Sequence, residues 1–152
     1  MVRLLKDFKV TMLLADAAQR VGGKLYVLGG GWSIINPGSV MFAIAVYIQT
    51  AWTRGDTQNE FRIDLLDSDG VPVLVESPDG AEVPLFLEGD FFAPRSPEVK
   101  AGTPLDGGFI WNVALSLPAD SRLEFRLTIN GETHEDWTLP FTTRAAPLEE
   151  AA

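Results

Sequence analysis

An alternating stretch near the C-terminus constrains the fold more than any other feature of this 152-residue chain. Between residues 122 and 131, every second position is apolar: Leu123, Phe125, Leu127 and Ile129. Alternation with a period of two is typical of a half-buried strand, and the Asn130-Gly131 pair that follows is a strong signal for a hairpin turn. The partner strand is predicted over residues 136–143, where Pro140 indicates an edge strand or a bulge.

The same test predicts strands along most of the chain. Beside the hairpin, they cover residues 8–14, 25–35, 41–50, 59–66, 71–75, 83–92 and 109–116. About nine strands at this spacing predict an all-β fold, a single antiparallel β-sandwich that is immunoglobulin-like or C2-like. The sandwich domain is expected over residues 1–144, with a C-terminal tail over 145–152. Residues 15–20 suggest one helical turn, and the Pro- and Gly-rich residues 93–104 predict a crossover loop between sheets.

Three consecutive glycines interrupt one predicted strand, in the stretch KLYVLGGGW that ends at Trp32. Glycines within a strand most often mark a bulge, a bend or a close approach of another group. We therefore interpret Gly29, Gly30 and Gly31 as a structural bend that lets one strand serve both sheets. Contact of these glycines with a ligand is the alternative interpretation.

The strand over residues 41–48 is apolar on both faces, unlike the others. Its core face is predicted to carry Phe42, Ile44, Val46 and Ile48. Its outer face then carries Met41, Ala43, Ala45 and Tyr47. An exposed apolar face requires cover, either by the protein's own N-terminal region or by another chain. These four outer residues are therefore the interface candidates.

Composition excludes several classes of chemistry. The chain has no cysteine, so disulfides, thiol catalysis, thiolate metal sites and Fe–S clusters are excluded. The net charge of −9 argues against a nucleic-acid partner, because phosphate contacts supply most of that affinity. The charge is uneven: residues 1–55 carry net +4 and the remainder −13. This asymmetry is either a way to orient subunits or a solvated acidic surface.

No apolar run reaches the length of a membrane span, and no signal-peptide pattern opens the chain. The sequence therefore predicts a cytoplasmic protein without a membrane partner.

Candidate catalytic and metal residues are few. The single histidine, His134, is interpreted as an exposed hairpin residue rather than a general base. The run Asp67-Ser68-Asp69-Gly70 resembles part of a calcium loop, but Leu65 occupies the position of the first carboxylate ligand. An Asp/Gly turn is the preferred interpretation, which leaves Asp67 and Asp69 as weak calcium candidates. The glycine clusters match no phosphate-binding pattern, so no cofactor is expected.

Tryptophans suggest one ligand class, because flat aromatic rings can stack on sugars. The chain has four of them. Trp111 and Trp137 lie on core positions of their predicted strands and are expected to be buried. Trp32 and Trp52 lie near strand ends and remain the ligand-stacking candidates.

Several blocks together resemble a known family. They are residues 14–19 (LADAAQ), 23–32 (GKLYVLGGGW), 61–70 (FRIDLLDSDG) and 122–131 (RLEFRLTING), followed by Glu135-Asp136-Trp137. The sequence is similar to a family of small uncharacterised bacterial proteins, frequent in actinobacteria, over nearly its whole length. The resemblance implies a bacterial origin and transfers no catalytic residue, because the family has no established activity.

The sequence therefore favours a non-enzymatic interaction or assembly protein whose partner is a second copy of itself or another protein. The alternative is a small-ligand or carbohydrate-binding module. A hydrolase-type enzyme is the third and least supported reading.

Overall fold

The computed structural model describes residues 7–77 and 79–148, and these residues are mostly strand. The eleven strands within them are β1 (Phe8–Val21), β2 (Lys24–Gly30), β3 (Ile34–Ile35), β4 (Gly38–Thr50), β5 (Gln58–Asp67), β6 (Leu74–Glu76), β7 (Glu82–Pro84), β8 (Phe86–Phe92), β9 (Leu105–Leu117), β10 (Arg122–Ile129) and β11 (Glu132–Thr143). A single 3₁₀ turn, Trp52–Arg54, follows β4. The described part of the chain contains no helix long and apolar enough to cross a bilayer.

Two packed sheets confirm the predicted all-β sandwich. The four-stranded sheet has the order β2-β1-β4-β9, and the five-stranded sheet has the order β3-β11-β10-β5-β8. A small third sheet pairs β6 with β7. Every pairing of strands is antiparallel except that of β3 with β11, which is parallel. The count exceeds nine because the predicted strands over 25–35 and 83–92 are each divided in two.

The core lies between the two sheets, at the alternate positions that the sequence pattern predicts. Its fully or nearly fully buried members include Leu14, Ile44 and Val46 from the four-stranded sheet, and Ile63 and Phe125 from the five-stranded sheet. Burial of such side chains supplies most of the favourable free energy of folding. Trp137 is buried as predicted, and Trp111 is half-buried against the same core.

The C-terminal hairpin forms as predicted, with its second strand beginning earlier, at Glu132, and with a shift of register between Arg126 and Thr128. Ile129 pairs with Glu132, which leaves Asn130 and Gly131 as a two-residue turn with φ values of 52° and 79°. Positive φ at both positions is typical of a type I′ turn, which Asn-Gly favours. At Pro140, β11 is an edge strand, because β3 pairs only with the last two residues of β11.

The predicted helical turn over residues 15–20 is wrong. These residues continue β1 to Val21 and pair in antiparallel register with β2, for example Ala18 with Val27. Alanine and glutamine are good helix formers, but intrinsic helix propensity is small in energy, and pairing with β2 overrides it.

The triple glycine links the two sheets, as the structural interpretation predicts. The preceding strand, β2, belongs to the four-stranded sheet and the following one, β3, to the five-stranded sheet. Gly29 has a φ of 61°, and a Cβ on it would lie 2.2 Å from the Asp16 carboxylate. A side chain at position 29 is therefore disfavoured by its backbone conformation, and it would also require the exposed Asp16 side chain to move. Residues 93–104 likewise connect β8 in one sheet to β9 in the other, as predicted for a crossover.

The hairpin of β1 and β2 curls over the outer face of the four-stranded sheet. The pairing of β1 with β4 ends at Ala15. Beyond it, β2 contacts β4 and β9, although β1 separates it from both in the sheet order. Gly108 on β9 pairs with Tyr47 on β4, so a Cβ on Gly108 would point to the outer face of the sheet. The Cδ1 atom of Leu25 lies 3.3 Å from that Cβ position, which places Leu25 over the outer face. We call residues 16–30 the flap.

Candidate functional site

The outer face of the five-stranded sheet is a ladder of charges. Arg62 Nε donates to Asp64 at 2.8 Å, and its Nη1 donates to Glu88 on the neighbouring strand. Arg126 Nη2 donates to Glu124 at 3.0 Å. These side chains are partly exposed, so each ion pair contributes little stability. The exposed apolar side chains on this face include two on its edge strand β8: Phe86 is 43% exposed with the Arg62 guanidinium over its ring, and Phe92 is 51% exposed.

The outer face of the flap is apolar instead. Tyr26 is half exposed and Leu28 is 70% exposed. Leu28 pairs across the hairpin with Ala17, and Ala17 lines a shallow groove with Met41, whose side chain is 82% exposed. We call Ala17, Tyr26, Leu28 and Met41 the flap patch. Exposed apolar side chains that adjoin one another are typical of a contact surface.

The flap corrects the interface predicted from the sequence. Ala43 and Ala45 are 1% and 4% exposed, because their face of the sheet lies beneath the flap. They are covered within the chain and offer no surface to a partner. Of the four interface candidates, Met41 is exposed and Tyr47 is half-buried.

The hydroxyl of Tyr47 is engaged within the chain. It donates a hydrogen bond to the Asp106 carboxylate on β9, which also accepts from Gln49 Nε2 at 3.3 Å. The hydrogen bond to Asp106 raises the pKa of Tyr47, with a further contribution from desolvation. The ring therefore fastens β4 to the start of β9, and Tyr47 is less exposed than Met41.

The two candidate stacking rings are both partly covered. The ring of Trp32 packs edge-on against Phe42 at 5.6 Å, and its indole nitrogen is buried without a hydrogen-bond partner among the described residues. The guanidinium of Arg95 lies 5.3 Å over the ring of Trp52. Neither residue belongs to the flap patch. Sugar stacking on these rings stays a prediction.

The model of a family of unknown function, DUF6941, matches the chain over residues 10–142. This range runs from β1 into β11 and so includes both sheets and the flap. The chain belongs to DUF6941. No curated protein and no solved structure matches it. The predicted resemblance to an uncharacterised family is confirmed at this level, and a bacterial origin stays a prediction.

The charges of the DUF6941 chain are divided between its two sheets. The strands of the four-stranded sheet carry three basic residues (Lys9, Arg20, Lys24) and two acidic residues (Asp16, Asp106). Those of the five-stranded sheet carry three basic residues (Arg62, Arg122, Arg126) and nine acidic residues (Glu60, Asp64, Asp67, Glu88, Asp90, Glu124, Glu132, Glu135, Asp136). The flap therefore lies on the less acidic side of a protein with a net charge of −9.

His134 lines a polar cleft of about 470 Å³ near the start of β11, together with Asp7, Arg54 and Glu132. Its Nδ1 atom accepts a hydrogen bond from the Asp136 amide at 3.1 Å. The hydroxyl of Thr133 in the same cleft donates to the Leu127 carbonyl oxygen at 2.8 Å and so fixes the hairpin. The expectation of a non-enzymatic protein stays a prediction.

The Asp67–Gly70 segment forms the tight turn favoured by the sequence. Asp67 Oδ1 accepts from the amides of Asp69 and Val71, both at 2.9 Å, which uses the carboxylate to close the turn. Within residues 7–77 and 79–148 there is no group of three or more metal-ligating side chains. Calcium binding by Asp67 and Asp69 stays a prediction, and the structural role of Asp67 is to close the turn.

The apolar residues of the flap patch on β2, Tyr26 and Leu28, were not among the candidates predicted from the sequence. A signal was present, because residues 25–28 (LYVL) are apolar at both odd and even positions. That is the same property that singled out the strand over residues 41–48. Leu25 and Val27 are half-buried on the side of β2 toward the sheet, and Tyr26 and Leu28 are exposed on the other side.

Proposed function

We propose that this protein is a non-enzymatic assembly module that associates with a second copy of itself through the flap patch. One observation carries the proposal: the apolar flap patch is exposed, whereas the outer face of the other sheet carries a charge ladder. Exposed apolar side chains that adjoin one another are typical of a contact between proteins.

Charge supports a second copy as the partner on this side. Two chains of net charge −9 repel each other most where acidic residues are concentrated, which is the five-stranded sheet. The strands of the four-stranded sheet carry nearly balanced charge, so approach through the flap brings the fewest like charges together. A two-fold arrangement, in which each flap contacts the other, is the commonest symmetry of such contacts.

The test is the molar mass in solution, by size-exclusion chromatography with light scattering across a dilution series. We expect wild type to approach twice 16.6 kDa at high concentration and to dissociate on dilution. Leu28→Asp removes two leucines from each two-fold contact, a loss of about 3 kcal/mol or more, which weakens association about a hundredfold.

The matched control is Leu148→Asp, because Leu148 is 60% exposed and lies outside the flap. It should leave the dilution profile unchanged. A wild-type protein that is monomeric at every concentration would overturn the proposal. So would an equal response of the Leu28→Asp and Leu148→Asp variants.

A further inference from the structure

A cleft of about 610 Å³ lies along the open edge of the sandwich, between β8 at the edge of one sheet and β9 at the edge of the other. We call it the edge cleft. Its lining includes Phe61, Phe91, Gly107, Phe109 and Asp106. Its volume is within the range of small-molecule sites in proteins, which are mostly apolar with a few polar groups.

The cleft depends on a missing side chain at Gly107. This residue pairs with Ile48, which is buried in the core, so position 107 belongs to the core face of β9. The other core-face positions of β9 all carry large apolar side chains: Leu105, Phe109, Trp111, Val113, Leu115 and Leu117. Gly107 alone leaves space between the sheets at this edge.

Packing does not explain that glycine. A Cβ on Gly107 would find the Ile48 carbonyl oxygen at 3.8 Å as its one heavy-atom neighbour, an ordinary contact, and its φ lies outside the left-handed region. Gly89 on β8 is different, because a Cβ there would lie 2.8 Å from the Phe61 ring. Gly89 is therefore needed to seat an aromatic wall of the cleft, and Gly107 keeps the cleft open.

The walls of the cleft are aromatic. The rings of Phe61 and Phe109 stack with centroids 4.3 Å apart, and the ring of Phe91 lies 6.4 Å from that of Phe61. All three side chains are half-buried although they face the core. Aromatic faces bind apolar groups, and they also attract a positive charge through the ring quadrupole.

The charged residues along the cleft favour a cation. Asp90 and Asp106 line it together with one basic residue, Arg20 of the flap. The two aspartates and the arginine give the lining of the cleft a net charge of −1, and the whole protein has a net charge of −9. Both the cleft and the protein as a whole would repel an anionic ligand, whereas they would attract a ligand with a single positive charge.

We propose that the edge cleft binds a small apolar molecule carrying one positive charge, such as an arylalkylamine. The apolar body lies beside Phe61 and Phe109 in the space above Gly107, and the ammonium group lies toward Asp90 and Asp106. The site is separate from the flap patch and does not depend on self-association.

Three matched probes test the proposal: 3-phenylpropylamine, 3-phenylpropanol and 3-phenylpropionate, which differ in charge but share one apolar body. Each is titrated into the full chain while backbone amide NMR signals are followed. We expect saturable shifts at Gly107, Gly108 and Phe109, with the amine binding about tenfold more tightly than the carboxylate, which is a difference of about 1.4 kcal/mol in binding free energy.

Gly107→Val places a side chain in the space the ligand needs and should weaken binding of all three probes at least tenfold. Ala114→Val, an exposed substitution on the same strand, is the control and should leave binding unchanged. If Gly107→Val fails to fold, the Asp90→Asn and Asp106→Asn pair carries the test: these exposed substitutions should remove the preference for the amine.

Three results would overturn the proposal. The first is the absence of saturable shifts at these amides with any probe. The second is equal or tighter binding of the carboxylate, and the third is amine binding that survives Gly107→Val in a folded protein. Binding should also persist in Leu28→Asp, and its loss there would assign the probe to the flap patch instead.

Discussion

Replacing Ala43 with aspartate is expected to lower the free energy of unfolding by about 3 kcal/mol or more. Ala43 lies on the outer face of β4, yet it is 1% exposed because the flap covers that face. A carboxylate at this position must either be buried without hydration or displace the flap. Urea denaturation followed by tryptophan fluorescence measures the change.

Ala114→Asp is the matched control for this prediction. Ala114 pairs with Met41 and so lies on the same outer face, one strand away, but it is exposed. Its replacement should change the free energy of unfolding by about 0.5 kcal/mol or less. Equal effects of the two substitutions would contradict the placement of the flap over β4.

Phe125→Ala is expected to lower the free energy of unfolding by about 4 kcal/mol. The side chain is fully buried at the centre of the sandwich. Its ring contacts the rings of Phe42, Trp111 and Phe141, at centroid distances of 6.1, 5.8 and 5.5 Å. Truncation removes these contacts and leaves a cavity that the two sheets cannot close without moving the backbone.

Phe86→Ala is the control for the core substitution. Phe86 is 43% exposed on the outer face of β8, with the Arg62 guanidinium 4.0 Å over its ring. Its loss should cost about 1 kcal/mol or less, because the contact is exposed to solvent. A Phe125→Ala protein as stable as Phe86→Ala would mean that the two sheets do not pack through Phe125.

The sandwich was predictable because each strand shows its buried face in its own short stretch of sequence. In β10, each apolar residue alternates with a polar one, so the buried face follows from the strand geometry alone. The Asn130-Gly131 turn was predictable for the same reason, but it sets the pairing only of the residues beside it, because the register shifts between Arg126 and Thr128.

The flap was not predictable in the same way, because it depends on contacts far apart in sequence. Residues 15–20 lack alternation, and their alanines are compatible with a helix. Only the pairing with β2 makes them a strand. The cover over Ala43 and Ala45 likewise requires β2 to curl across β4 toward β9. The apolar pattern on both faces of residues 41–48 indicated that a cover exists without indicating which segment supplies it.

The different roles of Gly107 and Gly108 in the edge cleft follow from how β9 pairs with β4. Gly107 and Gly108 are adjacent in the sequence and look equivalent. The pairing with β4 places Gly107 opposite buried Ile48 and Gly108 opposite Tyr47. A Cβ on Gly108 would lie 2.4 Å from the Val46 carbonyl oxygen, so that glycine is explained by packing, whereas Gly107 is not. Sequence alone cannot separate the two roles.

The proposed contact between two copies of the chain, through the outer surface of the flap, can be tested by the chemical accessibility of that surface. Because the sequence contains no cysteine, Ala17→Cys introduces a single thiol within the flap patch, and Ala119→Cys introduces one in the exposed loop after β9. The most direct measurement is the rate of thiol alkylation at increasing protein concentration. Association through the flap predicts that alkylation at position 17 slows as concentration rises, that Leu28→Asp restores the rate, and that the rate at position 119 does not change. A rate at position 17 that is independent of concentration would contradict the claim.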